Sequence, residues 1–221
     1  MKATVLSFLW AVWSTTTVVA QVATYLPLGD SYTIGEGVDE ADRFPNQLVQ
    51  EFKQSEFQLR LLGNWACTGC TSQQLLQAQL PHFFELKPNW VTLCIGVNDY
   101  VQGVDIDVFI RRFQQILDTI TDAPWKPKLI VLTIPDFGVT PAGSRYGKPA
   151  VIHQELEIWN RAIQIQAQKR KIPVIDLFEW SQQMKDIPSL VHTDKLHPSA
   201  IAYASWAKFI QHTIWTHYGN H

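Results

Sequence analysis

From Ala23 onward, short apolar runs of β-forming residues alternate with longer stretches whose apolar positions recur three and four apart. The short runs predict strands at Tyr25 to Leu28, Gln58 to Leu62, Trp90 to Ile95, Leu129 to Thr133 and Pro173 to Asp176. Between them, "FPNQLVQEFKQ", "TSQQLLQAQL", "DVFIRRFQQILDTI" and "PAVIHQELEIWNRAIQIQAQKR" carry a helical period, and "PSAIAYASWAKFIQHTIW" follows the fifth strand. Five strand–helix units in this order predict an α/β fold, a parallel sheet covered on both faces. One long turn-rich segment, residues 135 to 149, is a candidate lid or substrate loop.

In an open sheet of this kind, ligands bind outside the carboxyl ends of the strands, so the chemistry belongs just after each apolar run. Those positions read "GDS" at Gly29 to Ser31, "GNWACTG" after the second strand, "GVNDY" at Gly96 to Tyr100 and "IPDFG" after the fourth. Ser31 leaves the first strand behind a small residue and is the candidate nucleophile. A serine hydroxyl needs a base to take its proton and a carboxylate to orient that base. Asp194 and His197, three apart in "HTDKLHPSA", supply both, and Pro198 is expected at the first helical position, fixing His197 at a helix entrance. The Ser31 and Gly69 N–H groups and the Asn98 side-chain amide are the candidate donors to an oxyanion. Asp30 and Asp99 are expected to bond turn backbone nearby, while Trp65, Tyr32 and Tyr100 are aromatic residues that either border a pocket or simply pack.

Composition narrows the classes of function. At 221 residues with 46% hydrophobic residues, the chain has the size of one domain with a sizeable core. Lys plus Arg number 18 against 20 Asp plus Glu, with no basic run to follow a phosphate backbone, which argues against a nucleic-acid partner. The first twenty residues carry Lys2, then an acid-free apolar run, with Val18 and Ala20 as small residues ahead of a cleavage point. This predicts a secretory signal peptide over 1–20, a single domain over 21–221 and a periplasmic or secreted protein. Ser14 to Thr17 interrupt the apolar run, so an uncleaved anchor or a mispredicted start is the second reading.

"NWACTGCTS" allows two readings. A Cys-x-x-Cys between a strand and a helix suits a thioredoxin-like thiol–disulfide module with Cys67 reactive. In an oxidising compartment, Cys67 and Cys70 would instead close a small disulfide that stiffens the loop around Gly69. Cys94, inside "VTLCIG", is expected to be a buried inert thiol. His192, Asp194 and His197 resemble a metal cluster, but no second cluster completes a coordination sphere, and no metal is expected. A non-catalytic carbohydrate-binding protein on the same fold is the third reading, against which the intact serine, histidine and asparagine argue.

Together, "GDSY", "NWACTGCTS", "GVNDY" and "DKLHP" resemble the four sequence blocks of the SGNH, or GDSL-type, serine hydrolases, in the family's order from Gly29 to Pro198. The resemblance implies a flavodoxin-like three-layer α/β/α sandwich with a five-stranded parallel sheet. It also implies esterase action on carboxylic esters (short-chain acyl, lysophospholipid or acetyl esters) without a metal or other cofactor. By it, Ser31 is the nucleophile, His197 the base and Asp194 its orienting acid, while Ser31, Gly69 and Asn98 form the oxyanion hole. The arrangement is most similar to the bacterial lysophospholipase and thioesterase-like branch, often exported. Its partners would be a small-molecule, lipid or acetylated-sugar ester and, transiently, membrane lipid. Cys67 and Cys70 depart from the family pattern, which more often has polar or small residues there.

Overall fold

A computed structural model describes residues 21–53 and 57–219; the leader predicted over 1–20 lies outside them. Five parallel strands, β1 (Gln21–Gly29), β2 (Phe57–Leu61), β3 (Trp90–Cys94), β4 (Lys128–Leu132) and β5 (Val174–Ile175), form one sheet in the order β2-β1-β3-β4-β5. This is the doubly wound order in which the chain reverses direction across the sheet between β1 and β3, leaving a crevice at their carboxyl ends. Every residue of β3 is buried, as a strand covered on both faces must be.

The helices are α1 (Ser31–Ile34), α2 (Phe44–Glu51), α3 (Ser72–Gln74), α4 (Leu80–Leu86), α5 (Val97–Val101), α6 (Ile106–Thr121), α7 (Pro149–Lys169), α8 (Leu177–Ser181) and α9 (Ala200–Tyr218). Helix α2 packs on α9, and α6 packs on α7, giving layers on both sides of the sheet. On α9, Tyr203, Trp206 and Ile210 are fully buried, and Trp206 sits against Phe44 of α2 and Tyr32 of α1. Burying each such side chain contributes about 1.5–3 kcal/mol, so the helix that follows His197 is anchored in the core.

Three elements differ from the sequence reading. Strand β5 shrinks to two residues because Pro173 donates no N–H and Asp176 already caps α8, accepting from the Glu179 N–H at 3.1 Å. The second helical stretch runs on to Leu86 through a π-helical turn, Leu75–Gln79, between α3 and α4. Helix α9 begins at Ala200, two residues later than Pro198 suggested: Ser199 caps it, its hydroxyl accepting from the Ala202 N–H at 3.3 Å. Pro198 instead pairs with Val191 in an isolated antiparallel bridge, flanked by bonds from His192 N–H to His197 C=O at 2.8 Å and from Ser199 N–H to Leu190 C=O at 2.9 Å. His197 is thus held by a small hairpin rather than by a helix entrance.

Candidate active site

Ser31 follows β1 and opens α1, with Asp30 as the N-cap whose carboxylate oxygen accepts from the Tyr32 N–H at 3.1 Å. The preceding Gly29 has no room for a side chain: a Cβ there would sit 2.2 Å from the Thr33 hydroxyl and 2.3 Å from the Cys94 carbonyl. The first N–H groups of a helix have no partner within it, so the Ser31 N–H is available as a donor.

The 191–198 hairpin brings His197 to the serine. His197 Nε2 is 3.0 Å from Ser31 Oγ, and Nδ1 is 2.7 Å from Asp194 Oδ2. The other Asp194 oxygen accepts from the backbone N–H groups of Leu196 at 2.8 Å and His197 at 3.0 Å. Partial burial pushes the Asp194 carboxyl up, but those two donors and the His197 ring outweigh it and hold the group below the usual carboxylate range. An ionised Asp194 keeps the proton on Nδ1 and leaves Nε2 to accept from the serine. His192 approaches the same carboxylate oxygen, its Nδ1 3.6 Å from Asp194 Oδ2.

Gly69 and Asn98 share a cleft of about 260 Å3 with Ser31 and His197. Gly69 has a φ of +79°, which side chains rarely tolerate, and a Cβ there would meet nothing within 4 Å, so the glycine answers a backbone need rather than a packing one. Asn98, on α5 after β3, donates one amide hydrogen to the Cys70 carbonyl at 3.0 Å; its amide carries a second. Tyr32, Phe137, Tyr146 and Val101 give the cleft apolar walls. Trp65 instead stacks on His82, with ring centroids 4.4 Å apart, and the Tyr100 hydroxyl donates to Glu155 at 2.6 Å. The 135–149 segment contributes Phe137 and Tyr146, and its Ala142 N–H donates to the Lys195 carbonyl at 2.8 Å, tying it to the hairpin.

Cys67 and Cys70 are joined in a disulfide that brackets Gly69. Cys94 is free and buried, and burial pushes its thiol well up, which keeps it protonated and unreactive. Beneath the site, Asp99 accepts from the Ser72 N–H at 2.7 Å and from its hydroxyl at 2.6 Å. Asp30 is completely enclosed, and burial, aided by the charge of Asp99, pushes its carboxyl up to about 8.

One residue of this assembly carries no mark in the sequence. Gln79, fully buried in the π-helical turn, accepts from the Gly29 N–H at 2.9 Å and donates to the Gly29 C=O at 2.7 Å. Its amide takes the place of a neighbouring strand where β2 has already ended, two residues before Ser31. Wide π-type turns are frequent near functional sites, but a glutamine on a helical period gives no hint of one.

Known proteins share this architecture. The thioesterase 1/protease 1/lysophospholipase L1 of Escherichia coli K12 is 27% identical over 198 residues, covering 87% of this chain and 85% of its own. The solved lipase/acylhydrolase of Enterococcus faecalis superposes with a TM-score of 0.64 at 22% identity, over 87% of this chain and 95% of that one. The acetylxylan esterase Axe2 of Geobacillus stearothermophilus gives a TM-score of 0.68 at 17% identity, over 90% and 96%. Both structural likenesses speak for the α/β fold. The decisive match is to the GDSL-like lipase/acylhydrolase family, whose model spans residues 28–204, from the end of β1 past the hairpin into α9. On that match the chain belongs to the GDSL-like, or SGNH, family and is a hydrolase of carboxylic esters.

Proposed function

We propose that the protein is a serine esterase that works through an acyl-enzyme on Ser31. The observation that carries this reading is the relay of contacts from Ser31 Oγ to His197 Nε2 at 3.0 Å and from His197 Nδ1 to Asp194 at 2.7 Å. As the hydroxyl attacks the ester carbonyl, His197 takes its proton and Asp194 stabilises the imidazolium. The carbonyl oxygen becomes an oxyanion held by the Ser31 and Gly69 N–H groups and the free Asn98 amide hydrogen. When the tetrahedral intermediate collapses, His197 returns the proton to the leaving alcohol. Water, deprotonated by the same histidine, then frees the acid and restores Ser31.

The substrates in the relatives' names, thioesters, lysophospholipids and acetylxylan, share only an acyl group on a small leaving atom. A cleft of about 260 Å3 is small beside the roughly 300–1,000 Å3 of pockets that enclose drug-sized ligands. Its walls are apolar around Phe137 and Val101, and the reading is therefore a preference for short acyl chains. An exported setting completes the proposal, resting on the leader pattern of residues 1–20 and on a paired Cys67 and Cys70 of the sort that persist outside the cytosol.

The test is hydrolysis of a p-nitrophenyl ester series from acetate to palmitate by wild type and Ser31→Ala. The variant is expected to lose at least about a thousandfold in kcat/KM. Wild-type activity is expected to peak at the short end of the series. Retention of wild-type rates by Ser31→Ala, with contaminating esterase excluded, sinks the mechanism.

A further inference from the structure

The segment Cys67-Thr68-Gly69-Cys70 is a turn closed twice. Its Cα ends are 5.4 Å apart across the disulfide, and the Cys70 N–H donates to the Cys67 C=O at 3.1 Å. The third residue, Gly69, has the positive φ that a type II turn demands there. Type I and type II turns differ chiefly by rotation of their central peptide, here the Thr68–Gly69 peptide that carries the Gly69 N–H. If the turn opens, that peptide is free to rotate and present the Thr68 carbonyl where the N–H had been. The same turn sets a second donor, because the Cys70 carbonyl takes one Asn98 amide hydrogen and so fixes where the other points.

The remaining tethers of the turn are peripheral. The Thr68 hydroxyl donates to the Glu36 carboxylate among exposed side chains, and Gln102 Nε2 reaches the Gly69 carbonyl at 3.3 Å. Exposed contacts of this kind hold a geometry weakly.

We propose that the Cys67–Cys70 disulfide is the positioning element of the oxyanion pocket, so that full ester hydrolysis requires the oxidised pair. This rests on the reading of Gly69 and Asn98 as oxyanion donors. Neither cysteine touches the reacting atoms; both act through the peptide and the carbonyl they hold. A two-electron reductant opens the bridge. With a phosphine, the phosphorus loses two electrons and takes oxygen from water, and the two protons of that water end on the Cys67 and Cys70 sulfurs. An oxidant such as glutathione disulfide reverses the change by thiol exchange, accepting two electrons and two protons as it becomes two thiols.

The experiment uses the full chain, reduced with tris(2-carboxyethyl)phosphine and desalted without air, with an alkylated aliquot weighed to confirm two new thiols. Cys67→Ala/Cys70→Ala and Asn98→Ala are assayed beside it, each with folding checked by circular dichroism. Removing one oxyanion donor costs about 100- to 1,000-fold in kcat, so loosening donors should cost about 10- to 100-fold, with KM held within about threefold. Glutathione disulfide should restore the reduced wild type, and the double variant should share its low kcat and ignore the phosphine. A fully reduced wild type that keeps its kcat while Asn98→Ala loses activity overturns the positioning role and leaves the esterase reading standing. If Asn98→Ala keeps its kcat as well, the oxyanion reading itself fails and the proposal with it.

Discussion

Asp30 is a buried carboxyl group. It sits directly before Ser31, enclosed on all sides, with one carboxylate oxygen bonded to the Tyr32 N–H and the other without a partner among the described residues. Burial raises its folded value to about 8 from 3.8. Between roughly pH 4 and 8 the folded chain therefore keeps a proton that the unfolded chain has released, and stability falls as pH rises through that window. Asp30→Asn cannot ionise and keeps the acceptor for Tyr32, so its melting temperature should fall less than wild type between pH 5 and pH 8. Parallel curves for the two proteins would show that Asp30 ionises normally. Gly69 sets a different residue-scale expectation. Because a Cβ there meets nothing, Gly69→Ala should cost only the backbone term, about 1–2 kcal/mol in denaturant unfolding, while kcat drops more than stability suggests. Equal kcat in the two proteins would mean that the turn keeps its geometry, and the Gly69 N–H its place, with alanine there.

At the scale of elements, side-chain amides finish what the strands leave open. Gln79 bonds both backbone groups of Gly29 past the end of β2, and Asn160 of α7 does the same for Ile134 past the end of β4, at 2.7 and 2.8 Å. Each buried backbone group left bare costs about 1–3 kcal/mol, so Gln79→Leu should lose about 2–6 kcal/mol in urea unfolding. Gln79→Glu, which keeps the acceptor, should lose less; equal losses would mean that packing alone matters. These supports explain what was hidden in the sequence. Ser31, Gly69 and Asn98 stand out because small and polar residues follow apolar runs, and Asp194 and His197 because an acid and a base stand three apart before a proline. Gln79 and Asn160 sit on amphipathic helices whose period is satisfied with or without them, and only the sheet decides that they turn inward. The limits of β5 and α9 were obscured for a related reason: Pro173 and Pro198 punctuate the chain, but Asp176 and Ser199, as caps, set the boundaries.

At the scale of the whole molecule, the cleft stands where the sheet order reverses, between β1 and β3, and five segments, one following each strand, line it. The alternation of strands and helices made that architecture readable, since parallel strands buried on both faces leave few other arrangements. Cleft dimensions were not readable, because they depend on how the 135–149 segment folds back. Tyr146, half-exposed at the cleft and edge-on to Phe137 with ring centroids 5.4 Å apart, narrows it from that side. Tyr146→Ala should shift the ratio of kcat/KM for p-nitrophenyl octanoate over acetate upward by about tenfold, the scale of one or two methylene groups in an apolar pocket. An unchanged ratio would place the acyl chain elsewhere.

The bond between His197 and Ser31 spans 166 positions of sequence. During synthesis the serine leaves the ribosome with β1, and the strands of the sheet follow it, all before the hairpin that carries His197. A nascent chain halted anywhere short of that hairpin holds an ordinary alcohol at the tip of a strand. The contact between the two side chains is therefore made only when almost the whole chain has been synthesised.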